Sequence, residues 1–475
     1  MIDKKTSINA LLFLAFCKIA CFLIFVFTRN PDIFPGFIIK FWALKGNDSE
    51  TYYAPLNAFF TTGHYDGACR MPGLGLVYLP IRFFLSHEYT LMTVVFVQLI
   101  FEIIASYLGC LISFKLFHST KAFYTSVLLF GISSFVAVRA NYLLSDSLCS
   151  SSLIICLWSL YRWKSSGKLR PLLVSAFFLT WAVFLRQICI VLIPIFSMYV
   201  FYVLRHNLRG AVKYSIIFLA PLLIALSVWT TRNRIVLEKN IVLVASIEEC
   251  MGQLTPEFNA IRHMLLTMGQ DIQPWAKGSA AHWFFTDNLE ASSPIASRHL
   301  QGTINTDSIS ELRKDYRSFV AEGKVDSLLS TSIIERAERF SHLYKRENPW
   351  AYHAWNRLNF LYIFLFPTRL DDLPLPKMSQ ASLPLKALKG INYILLILVN
   401  GLFIVALFRI ILKRHWDAFL CALLGITPIF ILAYLGYVEQ RYLATSFYFM
   451  IISISSFFMS KTRNNEELSS LSGSN

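Results

Sequence analysis

The chain has 475 residues, a formal net charge of +15, 55% hydrophobic but only 15% charged residues, and a mean hydropathy of +0.51. Water-soluble domains carry about 25% charged residues, so composition excludes an ordinary soluble protein. The basic balance does not point to nucleic acid, because Lys and Arg gather in short loops between apolar runs, which is a topogenic pattern.

Runs such as Leu11–Phe27, Val94–Phe114, Leu148–Tyr161 and Ile391–Phe408 approach the roughly 20 residues that a spanning helix needs. Spans are expected at 8–27, 89–116, 120–138, 141–161, 170–186, 188–204, 212–231, 390–411, 416–436 and 441–460. The fold class is therefore an all-α polytopic membrane protein of about ten transmembrane helices. The first run lacks a small-residue cleavage site and is expected to stay as a helix. The segment 72–86 is short, opens on Pro-Gly and carries Pro80 and Arg82, so it is expected to be juxtamembrane or re-entrant within the first outside loop, 28–88.

Basic residues then set the orientation. Lys4, Lys5, Lys115, Lys121, Arg162–Arg170, Arg205–Lys213, Lys413, Arg414, Lys461 and Arg463 all fall on one side, which the positive-inside rule makes cytoplasmic. Residues 1–231 form a seven-helix membrane module. An extracytoplasmic soluble domain of mixed patterning follows at 232–389, with an amphipathic helix expected over 326–348. A three-helix module covers 390–460, and the Ser/Asn-rich stretch 461–475 reads as a disordered cytoplasmic tail. Both termini are then cytoplasmic. Seven cysteines lie in apolar runs, where they act as small hydrophobes; only Cys69 and Cys250 fall in outside loops, as a bridge or as two free thiols.

This topology puts Asp48, Glu50, Arg70, Asp146, Arg186, Arg232, Glu439 and Arg441 at or just beneath the non-cytoplasmic face. Ionisable residues near a bilayer tend to mark functional sites. Asp48 and Glu50, one residue apart, could take a proton from an acceptor hydroxyl or hold a divalent cation, or could simply belong to an exposed polar turn. Arg70, before Pro72-Gly73, could clamp a lipid-linked phosphate or snorkel to the interface. Arg186 either pairs in a polar cavity or marks a tight turn. Asp146 could bind a substrate hydroxyl or cap the next helix. Trp229 and Arg232 read as interface anchors or phosphate ligands, and Glu439 with Arg441 as a local ion pair or part of a site. Among His and Cys no metal-ligand spacing stands out.

In order along the chain, Asp48-Ser49-Glu50-x-Tyr52, Gly63-x-Tyr65, Arg70-x-Pro72-Gly73, Leu144-Ser145-Asp146, Leu185-Arg186, Trp229-Thr230-x-Arg232-Asn233 and Glu439-x-Arg441-Tyr442 resemble the membrane glycosyltransferases of the C-type fold. That family includes dolichyl-phosphate-mannose protein mannosyltransferases, lipid A aminoarabinose transferases and bacterial polyprenyl-phosphate-sugar transferases. The resemblance spans most of the chain except the 240–340 region. Leu74 stands where the family has an aromatic, and Gly75 lies near where its second Pro would be.

The resemblance implies transfer of a sugar from a polyprenyl-phosphate donor at the outer face by an inverting displacement. In it Asp48 is the catalytic base and Glu50 a helper carboxylate or metal ligand. Arg70 and Arg232 hold the phosphate, with Arg186 and Arg441 as further candidates, and Tyr52 and Tyr53 pack near the lipid or sugar. The extra soluble domain that protein mannosyltransferases carry in their large loop is absent from the sequence, which favours a glycan or glycolipid acceptor over a protein. A polysaccharide polymerase and a lipid-linked-sugar transporter or flippase are the rival readings. The transporter predicts broken helices, midplane charges and internal symmetry. Asn47-Asp48-Ser49 is a glycosylation sequon on the candidate base, which points to a bacterial inner membrane rather than an ER lumen.

Overall fold

The structure is a computed structural model that describes residues 2–28, 38–40, 42–44, 48–65, 67–244, 255–272, 279–295, 304–323, 326–366, 381–436 and 439–459. Asn47, Cys250 and the tail 461–475 lie outside these residues. The chain divides into two compact units: Met1–Val244 with Phe366–Ile429 and Gln440–Asn475, and Ala245–Leu365 with Phe430–Glu439.

In the first unit the apolar runs become helices. They are α1 (Lys4–Thr28), α4 (His87–Phe117), α5 (Thr120–Ile132), α6 (Ser134–Ala137), α7 (Asp146–Ser166), α8 (Leu169–Leu185), α9 (Ile193–Val203), α10 (Leu208–Val236), α16 (Leu383–Leu412), α17 (Trp416–Tyr434) and α18 (Ala444–Ile454). The last turn of α17 belongs to the second unit. Each expected span overlaps one of these helices, and the chain is an integral membrane protein. By length and composition, though, only six segments among the described residues suffice to cross a bilayer. Leu169–Leu185 and Gln187–Val203 are apolar but shorter, and α7 dilutes its apolar face with Ser147, Ser150, Ser151 and Ser152.

Before α4 lie a short antiparallel pair, β1 (Ile38–Lys40) and β2 (Ala43–Leu44), then α2 (Ser49–Thr62) and α3 (Gly75–Arg82). At 1.5 Å per residue, α3's eight residues rise roughly 12 Å, far short of the hydrocarbon thickness of about 30 Å. The 72–86 segment is therefore too short in helix to cross. Leu143 N donates to Leu44 O at 3.0 Å, which ties β2 to the segment leading into α7.

The expected single span 120–138 is broken. Ser133 adopts an extended conformation between α5 and α6, and a helix break in hydrocarbon needs a donor for its freed carbonyl. Lys18 of α1 supplies it, donating from Nζ to Ser133 O at 2.8 Å. The same ammonium pairs with Glu102 of α4 at 2.9 Å, both side chains being fully buried. Gln98 then takes the carbonyls of Ala140 and Tyr142 at 3.0 and 2.9 Å. Pairing makes the two buried charges tolerable.

Between α10 and α16, in the second unit, come α11 (Pro256–Thr267), α12 (Ala280–Phe285), α13 (Thr306–Ala321), α14 (Ser327–Glu347), a π turn (Ala351–Trp355) and α15 (Asn356–Leu365). Its described elements are all helical, which corrects the expectation of a mixed domain. The amphipathic stretch 326–348 is α14, capped by Asp326. Ile309, Leu312, Tyr316 and Phe319, spaced on one face of α13, meet Ile333, Ala337 and Phe340 of α14 around the buried Trp283. Arg313 is buried over the Trp283 ring at 4.5 Å, and its Nη2 donates to the carbonyls of Asp287 and Asn288.

Candidate functional site

The site is built where the 48–74 segment meets the ends of α7, α8 and the turn before α18, all within the first unit. Asp48 stands at the N-cap of α2, yet its side chain makes no capping bond. The backbone of that turn is closed instead by Thr51, whose Oγ1 donates to Asp48 O at 2.7 Å. The carboxylate is thus left for two arginines far apart in sequence. Asp48 Oδ2 lies 3.2 Å from Arg70 Nη2 and 2.7 Å from Arg441 Nη1.

Each arginine is held by a second contact. Arg70 Nε donates to Thr51 Oγ1 at 3.1 Å and its guanidinium lies 4.7 Å from the centre of the buried Tyr52 ring. Arg441, in the 3₁₀ turn Gln440–Leu443, lies 5.3 Å from the Tyr442 ring. Arg186 lies 4.9 Å from that same ring. Arg186 leaves the C-terminus of α8 and is ion-paired with Asp146, both nearly fully buried. The capping role considered for Asp146 does not hold: Ser145 is the cap residue, Asp146 is the first residue of α7, and its carboxylate is spent on Arg186.

The Pro72-Gly73 step brings these parts together. A Cβ on Gly73 would overlap the Phe184 carbonyl and stand 2.5 Å from Leu185 N, so only glycine lets the loop after Arg70 lie on the end of α8. Trp181 Nε1 donates to Gly73 O at 2.8 Å and fixes the joint. Arg70 and Arg186 are thereby anchored to the same contact.

Arg232, near the end of α10, donates to Gly67 O at 3.1 Å and to Asn233 Oδ1 at 2.8 Å. Its guanidinium lies 5.1 Å from the rings of both Tyr65 and Trp229, and Tyr65 OH donates to Arg70 O at 3.1 Å. Arg232 is thus linked to the Arg70 backbone through one tyrosine. Cys69, one residue before Arg70, is disulfide-bonded, and seven other cysteines are free.

Electrostatics follow from this placement. Burial pushes the Asp48 carboxyl up, but the guanidiniums of Arg441 and Arg70 outweigh it and hold the group below its ordinary range. The Tyr52 hydroxyl is fully buried, which raises it, yet Arg186, Arg70 and Arg441 together draw it below its usual value. A hydrogen bond with Ser145 acts in the same direction. The cluster is therefore electropositive, with Arg70, Arg186 and Arg441 against Asp48 and Asp146, and is suited to an anion.

Other expected residues are placed elsewhere. Glu50 is exposed on the first turn of α2. Tyr53 packs against His87, with ring centres 5.5 Å apart, because successive helical residues point about 100° apart. Glu439 is half-buried just before the 3₁₀ turn and falls in the second unit. Among the described residues no three or more His, Cys, Asp or Glu side chains converge to hold a metal ion. A cation on Asp48 would have to displace two guanidiniums, so the pair Asp48 and Glu50 does not fit that role. Sequence reasoning missed Thr51, Ser145 and Tyr442 as supports; Tyr442 lay inside a quoted motif, but a ring shared by two arginines has no signature in spacing.

The fold and this cluster define an integral membrane protein with an arginine-lined, carboxylate-bearing site at one end of its helices. No family model and no curated protein sequence matches the chain. Among solved structures it is similar to the archaeal oligosaccharyltransferase AglB from Archaeoglobus fulgidus in complex with an inhibitory peptide and a dolichol-phosphate. That match has 10% identity and a TM-score of 0.48, and covers 99% of this chain and 52% of the other. It is also similar to ArnT from Cupriavidus metallidurans in the apo state, at 11% identity and a TM-score of 0.34, covering 97% and 79%. The chain thus spans about half the length of the oligosaccharyltransferase. At this level of likeness, the functional reading rests on the residues and their geometry.

Proposed function

We propose that the protein is an integral membrane glycosyltransferase that moves a sugar from a polyprenyl-phosphate donor to a glycan or glycolipid on the non-cytoplasmic face. The observation that carries this reading is Asp48 held between Arg70 and Arg441. An acceptor hydroxyl gives its proton to the Asp48 carboxylate as its oxygen attacks the anomeric carbon. The bond from that carbon to the phosphate oxygen breaks on the opposite side, inverting the centre. The leaving phosphate takes the electron pair, and Arg70, Arg441 and Arg232 stabilise its charge.

The same arginines serve both ends of this step. In the resting site they keep Asp48 ionised but weakly basic. Donor phosphate competes for their guanidiniums, and each one it draws away leaves Asp48 a stronger base. Arg186 and Asp146 hold each other and orient Tyr442 beneath Arg441. Tyr52 braces Arg70 from beneath, its buried ring 4.7 Å from that guanidinium.

Topology supports the site's sidedness. A disulfide at Cys69 belongs in an oxidising compartment, and Lys/Arg-rich loops belong in the cytoplasm; both support a first loop outside and termini inside. The sequon at Asn47 favours a bacterial inner membrane. A transporter draws support from one observation, the broken α5–α6 helix beside buried Lys18 and Glu102. Those charges neutralise each other and cap Ser133, a structural use that favours the transferase.

The test is acceptor-dependent release of polyprenyl phosphate from a panel of polyprenyl-phosphate sugars, using wild type and Asp48→Asn in proteoliposomes. Release by wild type, lost in a folded variant, is the expected result. Equal release by both removes Asp48 as base, and donor flipped across the vesicle without release makes the protein a transporter.

A further inference from the structure

The second unit carries an exposed aromatic stripe that the site does not use. After α14 the chain makes the π turn Ala351–Trp355 and continues as α15. Bonding from i to i+5 turns residues five apart toward one side. Trp350, Trp355, Leu358 and Tyr362 follow one another there, exposed by 76%, 54%, 56% and 58%. The opposite face of α15 is buried through Asn356, Phe360 and Phe364, and Asn356 Nδ2 donates to Thr267 O of α11 at 3.1 Å.

What lies against the stripe is indicated by its neighbour in the same unit. Phe430–Glu439 belongs to this unit and includes the last turn of α17, a helix apolar enough to cross a membrane. Arg357 Nη1 donates to Tyr434 O at 2.7 Å, and its guanidinium lies 5.0 Å from the Tyr434 ring. Phe430 and Tyr434 are themselves 58% and 56% exposed. The π turn and α15 are therefore fastened to the last turn of α17 through Arg357.

We propose that Trp350, Trp355, Leu358 and Tyr362 form a membrane-seated face, embedded at the headgroup–acyl boundary of the leaflet where α17 ends. Three features favour bilayer lipid as the occupant. Trp and Tyr combine an apolar ring with a polar edge and concentrate at that boundary. Lys345, Arg346 and Arg357 flank the stripe and match the phosphates of lipid headgroups. In the same unit Phe430 and Tyr434, on the last turn of the apolar α17, are exposed as well. The face lies outside the proposed catalytic cluster, so it stands or falls separately from the transferase reading.

Spin labels at Trp355→Cys and Leu358→Cys, with Glu311→Cys as a polar control 72% exposed in the same unit, would be read by power-saturation EPR on the full chain in phosphatidylethanolamine/phosphatidylglycerol proteoliposomes, after subtracting the signal of the labelled parent. Collision with oxygen several-fold greater than with a water-soluble nickel chelate at 355 and 358, reversed at 311, is the expected result. Nickel access at 355 and 358 equal to that at 311 would place the stripe in water and overturn the proposal. Loss of access to both reagents would mean a protein covers it, and would overturn the proposal equally.

Discussion

Replacing Arg441 with Gln removes one of the two guanidiniums on Asp48 while keeping an uncharged polar side chain. Arg441 Nη1 is 2.7 Å from the carboxylate, and both side chains are shielded, 21% and 24% exposed. A charged hydrogen bond in that setting contributes about 1.5–3 kcal/mol. If Arg441 also meets the departing phosphate, transfer should slow roughly ten- to hundredfold in kcat/KM. The pH profile should change in a definite direction. Asp48 works as the carboxylate, so activity is present above its pKa and lost as pH falls through it. Arg441 helps hold that pKa below the ordinary range; without it the pKa rises, and the acid limb of kcat/KM must move to higher pH. Polyprenyl-phosphate release measured from about pH 4 to about pH 8 would resolve both effects. A variant with an unmoved acid limb would refute the assignment of Asp48 as base under Arg441, even if its rate fell.

Gly73→Ala should abolish most activity and lower the melting temperature by several degrees, because the new methyl collides with the Phe184–Leu185 backbone; a thermal-shift assay beside the transfer assay checks this, and a variant of wild-type stability and rate would contradict it. Lys18→Met or Glu102→Leu alone should destabilise the protein by about 3–5 kcal/mol, since each leaves a buried charge alone. The double variant should recover much of that loss in detergent unfolding, and singles that unfold like wild type would remove the pair's structural role. Cys69 should resist maleimide in denaturant until a reductant is added, whereas prompt labelling without reductant would count against its disulfide and the sidedness it supports.

Much of the membrane architecture was legible because a spanning helix announces itself by length and apolarity, as α1, α4 and α16 do. That 72–86 holds only a short helix was legible from Pro72, Gly73 and Pro80. The site was legible in its members but not in its pairings. Asp48 and Arg441 stand almost at opposite ends of the chain, and nothing in either motif says that one completes the other. Arg186 offered a choice between a pair and a turn, and the structure makes it both. Lys18 and Glu102 were passed over because one charge in a long apolar run barely lowers its mean hydropathy. The helical second unit was masked by short helices with polar connectors, although Ile309, Leu312, Tyr316 and Phe319 already had helical spacing.

The Lys18 contact also bears on how the protein is made. An ammonium near the middle of a lone helix costs about 2.5–3.5 kcal/mol to insert, and α1 reaches the membrane before either Glu102 or Ser133 has been synthesised. Its apolar length can carry that load, but only as a waiting state, because the charge gains its carboxylate partner when α4 arrives and its carbonyl when the α5–α6 bend follows. The first helix is thus a component held in reserve for the fourth and fifth, and a cut or fusion that delays their arrival would strand a charged helix in lipid.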